Sequence, residues 1–186
     1  MRAFTLLLLF FLATFVPCSA HGLDVTTNLL QAKAGSWIRT HQENKHYYTQ
    51  YVSEVTPDVV TLHIIHKRRD DYVSNRRVRI PVSYIREQSV DVLSSLVTEE
   101  TLEVDGTTYN VKKIHYRSLD DDAEVDLYVT DDLPATGVLR KDEFPDHGAA
   151  RVTTTTSEHG FSPDEEILRA GAFTDANEHY GIPTPE

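Results

Sequence analysis

The dipeptide Asp105-Gly106 constrains this chain more than any other pair of residues. Aspartate followed by glycine supplies the two positive φ angles that a two-residue hairpin turn requires. Leu102 and Val104 lead into it and Tyr109 and Val111 lead out, so two antiparallel strands meet here. After a polar break at Leu119 to Asp122, the residues Ala123, Val125, Leu127 and Val129 alternate with Glu124, Asp126, Tyr128 and Thr130. That period of two marks a strand with one buried face. The run therefore predicts a three-stranded meander.

The same reading extends along the chain. Gly35-Ser36-Trp37-Ile38 opens a first strand. Tyr47 to Val55 and Val59 to His66 flank the turn signal Pro57-Asp58, with Val60, Leu62 and Ile64 sharing a face. Lys67 to Asp71 reads as a short irregular stretch, and Arg77 to Tyr84 as a strand with Val78, Ile80, Val82 and Tyr84 on one side. Pro81 cannot donate to a ladder, which places that strand at or near a sheet edge. Ile85 to Val97 is read as a short helix. Gly137-Val138-Leu139 starts a further strand, Phe144 to Gly148 is a turn, and Ala150 to Ser157 carries four β-favouring threonines. Ser162-Pro163-Asp164-Glu165 has the composition of a capped helix start with Ser162 as cap, and Gly171 sits where the helix would end. About eight or nine strands, one or two short helices and no βαβ alternation give a mainly β fold, a curved antiparallel sheet forming a barrel or half-barrel.

Residues 1–20 read as an export signal: a charge at Arg2, an apolar stretch from Leu6 to Val16, then Pro17-Cys18-Ser19-Ala20. Lipidation of Cys18 is the competing reading; Pro17 before it fits that processing poorly. Residues 21–34 are expected to be a flexible lead-in, 35–171 a single β domain, and 172–186 a tail with little fixed structure. The signal is too short to remain as a membrane span. Because Cys18 is the only cysteine, the mature chain would have no disulfide and no thiolate chemistry. A formal charge of −11 argues against nucleic acid and anionic membrane surfaces as partners. The chain contains no Asn-x-Ser/Thr acceptor, which favours a bacterial exported protein, periplasmic or secreted.

Motifs for chemistry are sparse. The chain has no Gly-x-Ser-x-Gly elbow, no Ser-x-x-Lys and no phosphate-cradling glycine loop. His63 and His66 lie three apart on a strand, hence on opposite faces; His63 with His115 would still need a third metal ligand. Asp120-Asp121-Asp122 and Asp131-Asp132 lack the spacing and glycine of a calcium loop. No catalytic residue, metal or cofactor is therefore assigned. The clearest charge feature is basic: Lys67, Arg68 and Arg69 with Arg76, Arg77 and Arg79 would gather around one hairpin. Lys67, Arg68, Arg77 and Arg79 are the candidate anion- or partner-binding residues. A self-paired, charge-protected edge is the competing explanation. Trp37, the sole tryptophan, reads as a core anchor or, alternatively, as a stacking platform for a ligand.

The Gly35–Ile38 opening, the Thr101–Gly106 hairpin and the later corner Thr130-Asp131-Asp132-Leu133-Pro134-Ala135-Thr136-Gly137-Val138-Leu139 resemble a class of small uncharacterised bacterial exported proteins. More loosely, their order is similar to the periplasmic lipoprotein carriers of the lipoprotein localisation factor type, which are curved sheets over an apolar cavity. The resemblance implies a fold and a compartment rather than a reaction. The expected function is a non-enzymatic exported binding domain, for a lipid or small apolar ligand or for an envelope protein. A hydrolase with dispersed carboxylate and histidine residues, or a structural envelope component, is the alternative.

Overall fold

Ten strands form one sheet in the order β10-β4-β3-β2-β1-β9-β8-β7-β6-β5 in a computed structural model that describes residues 23–118, 122–146 and 149–185. The strands are β1 (Trp37–Gln42), β2 (His46–Val55), β3 (Val59–Arg68), β4 (Asp71–Pro81), β5 (Leu96–Val104), β6 (Thr107–Ser118), β7 (Ala123–Val129), β8 (Val138–Pro145), β9 (Val152–Gly160) and β10 (Thr174–Asp175). Every pairing is antiparallel except the two-residue contact of β10 with β4. The sheet does not close, so the half-barrel alternative describes it. The export signal at residues 1–20 lies outside the described residues, as do Asp120 and Asp121. Among the described residues no helix is long and apolar enough to cross a membrane.

The meander forms as its pattern requires. Asp105 and Gly106 take φ of 50° and 78°, and Val104 faces Thr107 across them. Ala123, Val125, Leu127 and Val129 are all buried while the residues between them are half-exposed. One core then joins Val60, Leu62, Val78 and Ile80 of β3 and β4 to Ile114 and Leu127 of β6 and β7. These strands stand far apart in the sheet order, so the sheet wraps around its inner face.

Four local expectations are corrected. Lys67 to Asp71 is a tight hairpin, with β3 continuing to Arg68 and Arg69 turning at φ 56°. Strand β4 stops at Pro81, and Val82 and Tyr84 belong to helix α1 (Val82–Gln88), followed by the single turn α2 (Val90–Leu93). Proline fits the entrance of a helix as well as a sheet edge, which is why period-two apolar residues beyond it misled. Helix α3 (Glu165–Arg169) is capped by Asp164, whose side chain accepts from Ile167 N at 2.9 Å, rather than by Ser162. Strand β8 runs through Phe144 and Pro145, which were expected to turn.

The described segments flanking the sheet are packed on both sides. Val25 and Leu29, in the expected flexible lead-in, are buried in the main core, and Thr26 Oγ1 donates to Thr136 O at 2.6 Å. In the expected loose tail, Ala176 and Ile182 join the same core. The few apolar residues in each segment are too sparse to show a period, yet they fill the inner face of the sheet.

Candidate functional site

Strand parity divides the sheet into an inner and an outer face. Three of the four candidate basic residues share one of them. Lys67, Arg77 and Arg79 lie on the outer face, whereas Arg76 lies opposite Ile64 on the inner face, where its guanidinium sits over the Tyr180 ring. Arg68 is exposed at the hairpin end, opposite Asp71. The C-terminal segment then brings acids to the outer cations: Lys67 Nζ is 2.9 Å from Glu166, and Arg77 Nε is 2.7 Å from Asp175. That pairing raises the Arg77 pKa through its hydrogen bond to Asp175 and lowers the Asp175 pKa in turn. Two of the four candidate residues, Lys67 and Arg77, are thus ion-paired within the chain. The acids come from about 100 residues downstream, so no local reading of the hairpin could find them.

Trp37 is 7% exposed and packs with Ile65, Ile167 and Ala170. Its indole N–H donates to Ser162 O at 2.7 Å, and the Arg39 guanidinium stands 5.0 Å from the ring centroid. Gly160 lies against the indole so closely that a Cβ there would come within 2.8 Å of it. Trp37 is therefore a core anchor beneath α3, and no ring face is left for a ligand to stack on.

A charge cluster that the sequence reading missed lies on the inner face. Lys141 on β8 is buried, with Nζ 3.2 Å from Asp24 Oδ2 and 3.1 Å from Glu143 Oε1. Tyr116 donates to the other Asp24 oxygen. Burial alone would discharge the ammonium; the two carboxylates outweigh it and push the Lys141 pKa above the ordinary lysine value. Nearby Tyr48 is pushed up by burial and by the charge of Glu143, so it stays a neutral phenol. Lys141 is thus held as the ammonium and Tyr48 as the phenol. Their geometry ties the N-terminal segment to β8.

Histidine contacts are likewise absorbed. Ser53 Oγ lies 3.3 Å from His63 Nε2, the arrangement from which a hydroxyl nucleophile could be built. Yet the imidazole is stacked on Phe173 at 4.0 Å between centroids and shares a register position with Arg77. Burial and that arginine hold its pKa low. His115 is engaged by Asp126 at 2.8 Å and Glu124 at 3.2 Å within an outer-face ladder that also contains Lys113 and Arg117. His63 and His115 stand on strands separated by five others, so they do not face one ion. Among the described residues no three histidine, cysteine or acidic side chains are grouped to hold a metal.

A groove of about 690 Å³ lies open on the inner side of β5, β6 and β7. By register the side chains that face it from the strands are Glu99, Thr101, Asn110, Lys112 and Val129, with Asn28, Thr130 and Asp131 at one end. The end wall is held by the Thr130–Gly137 corner. Thr130 N donates to Gly137 O at 2.9 Å, and Asn28 Nδ2 donates to Thr130 O at 3.0 Å. Gly137 takes φ 69°, and a Cβ on it would lie 2.3 Å from Asn28 Nδ2. Glycine is required there by conformation and by space. The hairpin and the corner were legible in the sequence; the groove between them was not.

No protein-family model matches the chain, and no curated protein matches it. Among solved structures, a hypothetical protein from Chlamydia trachomatis is similar at 8% identity with a TM-score of 0.43, over 77% of this chain and 95% of that one. No comparison supports the resemblance to periplasmic lipoprotein carriers.

Proposed function

We propose that this chain is an exported, non-enzymatic binding domain that takes a segment of an envelope protein in the groove between β5, β6 and β7. The observation that carries the reading is the groove itself. It is the size of a ligand site, and a lining of Glu99, Thr101, Asn110, Lys112 and Asp131 with Val129 as its apolar strand residue suits a peptide better than an acyl chain. The alternative, a hydrolase, would need a nucleophile and a base in an accessible cleft. The Ser53–His63 contact is covered by Phe173, and the Lys141 cluster is closed by Asp24. Export rests on the character of residues 1–20.

The test is site-specific photocrosslinking in a bacterial host that exports the protein, with the crosslinker at Thr101 or Asn110 and, as control, at Arg68. Protein adducts formed at the two groove positions and not at Arg68 are expected. Native mass spectrometry showing a co-purified lipid, with no adduct at the groove, would overturn the reading in favour of an acyl-chain carrier.

A further inference from the structure

The two edges of the sheet are treated differently. Edge β4 is covered by the C-terminal segment almost residue by residue. Thr174 Oγ1 donates to Asn75 O, Ala176 N donates to Arg77 O at 2.9 Å, and Arg79 N donates to Asn177 Oδ1 at 2.9 Å. Asn177 Nδ2 returns a bond to Arg79 O at 2.7 Å. One side-chain amide thus caps both backbone groups of Arg79, as a neighbouring strand would.

Edge β5 has no such cover. It is nine residues long, it ends the sheet order, and no strand other than β6 pairs with it among the described residues. Its register shows which backbone groups are unused. A two-residue turn with both φ angles positive makes the flanking pair, Val104 and Thr107, a hydrogen-bonded one, and bonded pairs then recur at every second residue. Leu102, Glu100, Thr98 and Leu96 are therefore bonded to β6. Val97, Glu99, Thr101 and Glu103 point their N–H and C=O groups away from it, and all four are exposed. The strand has no lysine, proline or bulge, and its one protection against edge pairing is the negative charge of Glu99, Glu100 and Glu103, which a basic strand would not meet as repulsion.

We infer that β5 receives an extended, basic segment of another polypeptide as an added strand, which lays alternate side chains into the adjoining groove. This rests on the binding-domain reading above and specifies its mode. Backbone pairing supplies the attachment and the groove supplies selection, as in other cases of strand addition. Charge chooses the partner. On the inner face Glu99 and Glu103 of the strand and Asp131 at the groove wall outnumber Lys112, which stands opposite Glu99, while Glu100 faces the outer side near Lys113. Lysine or arginine on the incoming strand would meet these carboxylates, because cross-strand neighbours lie about 5 Å apart. A second copy of this chain is disfavoured at the same edge, since antiparallel self-pairing of β5 would set glutamates against glutamates.

The experiment uses the chain from residue 21 onward and a short peptide of alternating lysine and valine. Controls are a glutamate–valine peptide and the lysine–valine peptide N-methylated at alternate amides. Binding is read by fluorescence anisotropy and by amide exchange at β5. The lysine–valine peptide is expected to bind at least tenfold more tightly than either control, to slow exchange at Val97, Glu99, Thr101 and Glu103, and to weaken as salt rises. Thr101→Pro removes one outward N–H without touching the β6 ladder and is expected to lower affinity about tenfold or more, equivalent to roughly 1.4 kcal/mol. If the N-methylated peptide binds equally and Thr101→Pro has no effect while groove residues still respond, strand addition is wrong and the groove reading survives. If no peptide binds, both fail. Sedimentation showing a dimer that Thr101→Pro dissolves would assign the edge to a second copy and overturn the proposal.

Discussion

Replacing Lys141 by methionine tests the physics of the inner face most severely. The substitution keeps an unbranched side chain of similar length and removes only the charge. It takes away the cation that Asp24 and Glu143 share, at a site where Lys141 and Glu143 are 6% and 5% exposed. Removing one partner of a buried pair costs roughly 3–5 kcal/mol, because the remaining charge is stranded without water. At about 2–4 °C per kcal/mol for a domain of this size, the melting temperature should fall by about 6–20 °C. The pH dependence separates this cause from a packing defect. In the wild type the Lys141 pKa is raised on folding, so the pair's contribution is complete below the unfolded lysine value and is lost only as pH rises through the still higher folded value. It is therefore constant near neutrality. In Lys141→Met the deficit should instead shrink on acidification, as the stranded carboxylates take up protons. Urea denaturation of both proteins from about pH 8 down to about pH 4.5 measures it. A deficit below about 1 kcal/mol, or one that does not change with pH, would refute the reasoning.

Further outcomes follow from other contacts. Gly137→Ala should cost at least about 2 kcal/mol, combining left-handed strain with the clash at Asn28 and Thr130. Gly106→Ala, equally left-handed but with open space around it, should cost only about 1 kcal/mol; chemical denaturation compares the two. Asp164→Ala should destabilise by about 1–2 kcal/mol through the lost α3 cap. The Asp164 carboxyl is held low, since the Ile167 N–H and the Arg39 guanidinium outweigh the opposing effect of burial. Its contribution is therefore present above the unfolded aspartate value and lost as pH falls through the lower folded one, so Asp164→Asn should flatten the acid limb of a stability profile. Deleting residues 172–186 should expose the β4 edge and produce concentration-dependent association in gel filtration.

Where the sequence carried its own periodicity, the fold was legible. The alternation of β7 and the Asp-Gly turn are local signals: the β7 face is buried as expected, and the turn takes its two positive φ angles. Failures came where one residue type satisfies two structures. Val82 and Tyr84 continue the period of β4, but Pro81 allowed the chain to start α1 instead. The site was harder. Arg140-Lys141-Asp142-Glu143 is four charged residues in a row, yet Lys141 pairs with Asp24 and Glu143, and Asp142 with Arg140 and Arg151. Asp24 is remote in sequence, and no spacing rule connects it to them. The groove is defined by a strand edge, a corner and Asn28, and it exists only once all three have met.

The cover over β4 also has a history in time. Arg79 and the asparagine that caps it are 98 residues apart, so during synthesis the strand is complete on the order of 5–20 s before its cap emerges. Until that cap is in place the edge is bare, and the like charges of Arg77 and Arg79 are a weaker protection against pairing with another copy than the cover that replaces them. Once Asp175 and Asn177 arrive, they pair with those two arginines. The arginines thus act first as a temporary guard and then as the anchor for its replacement.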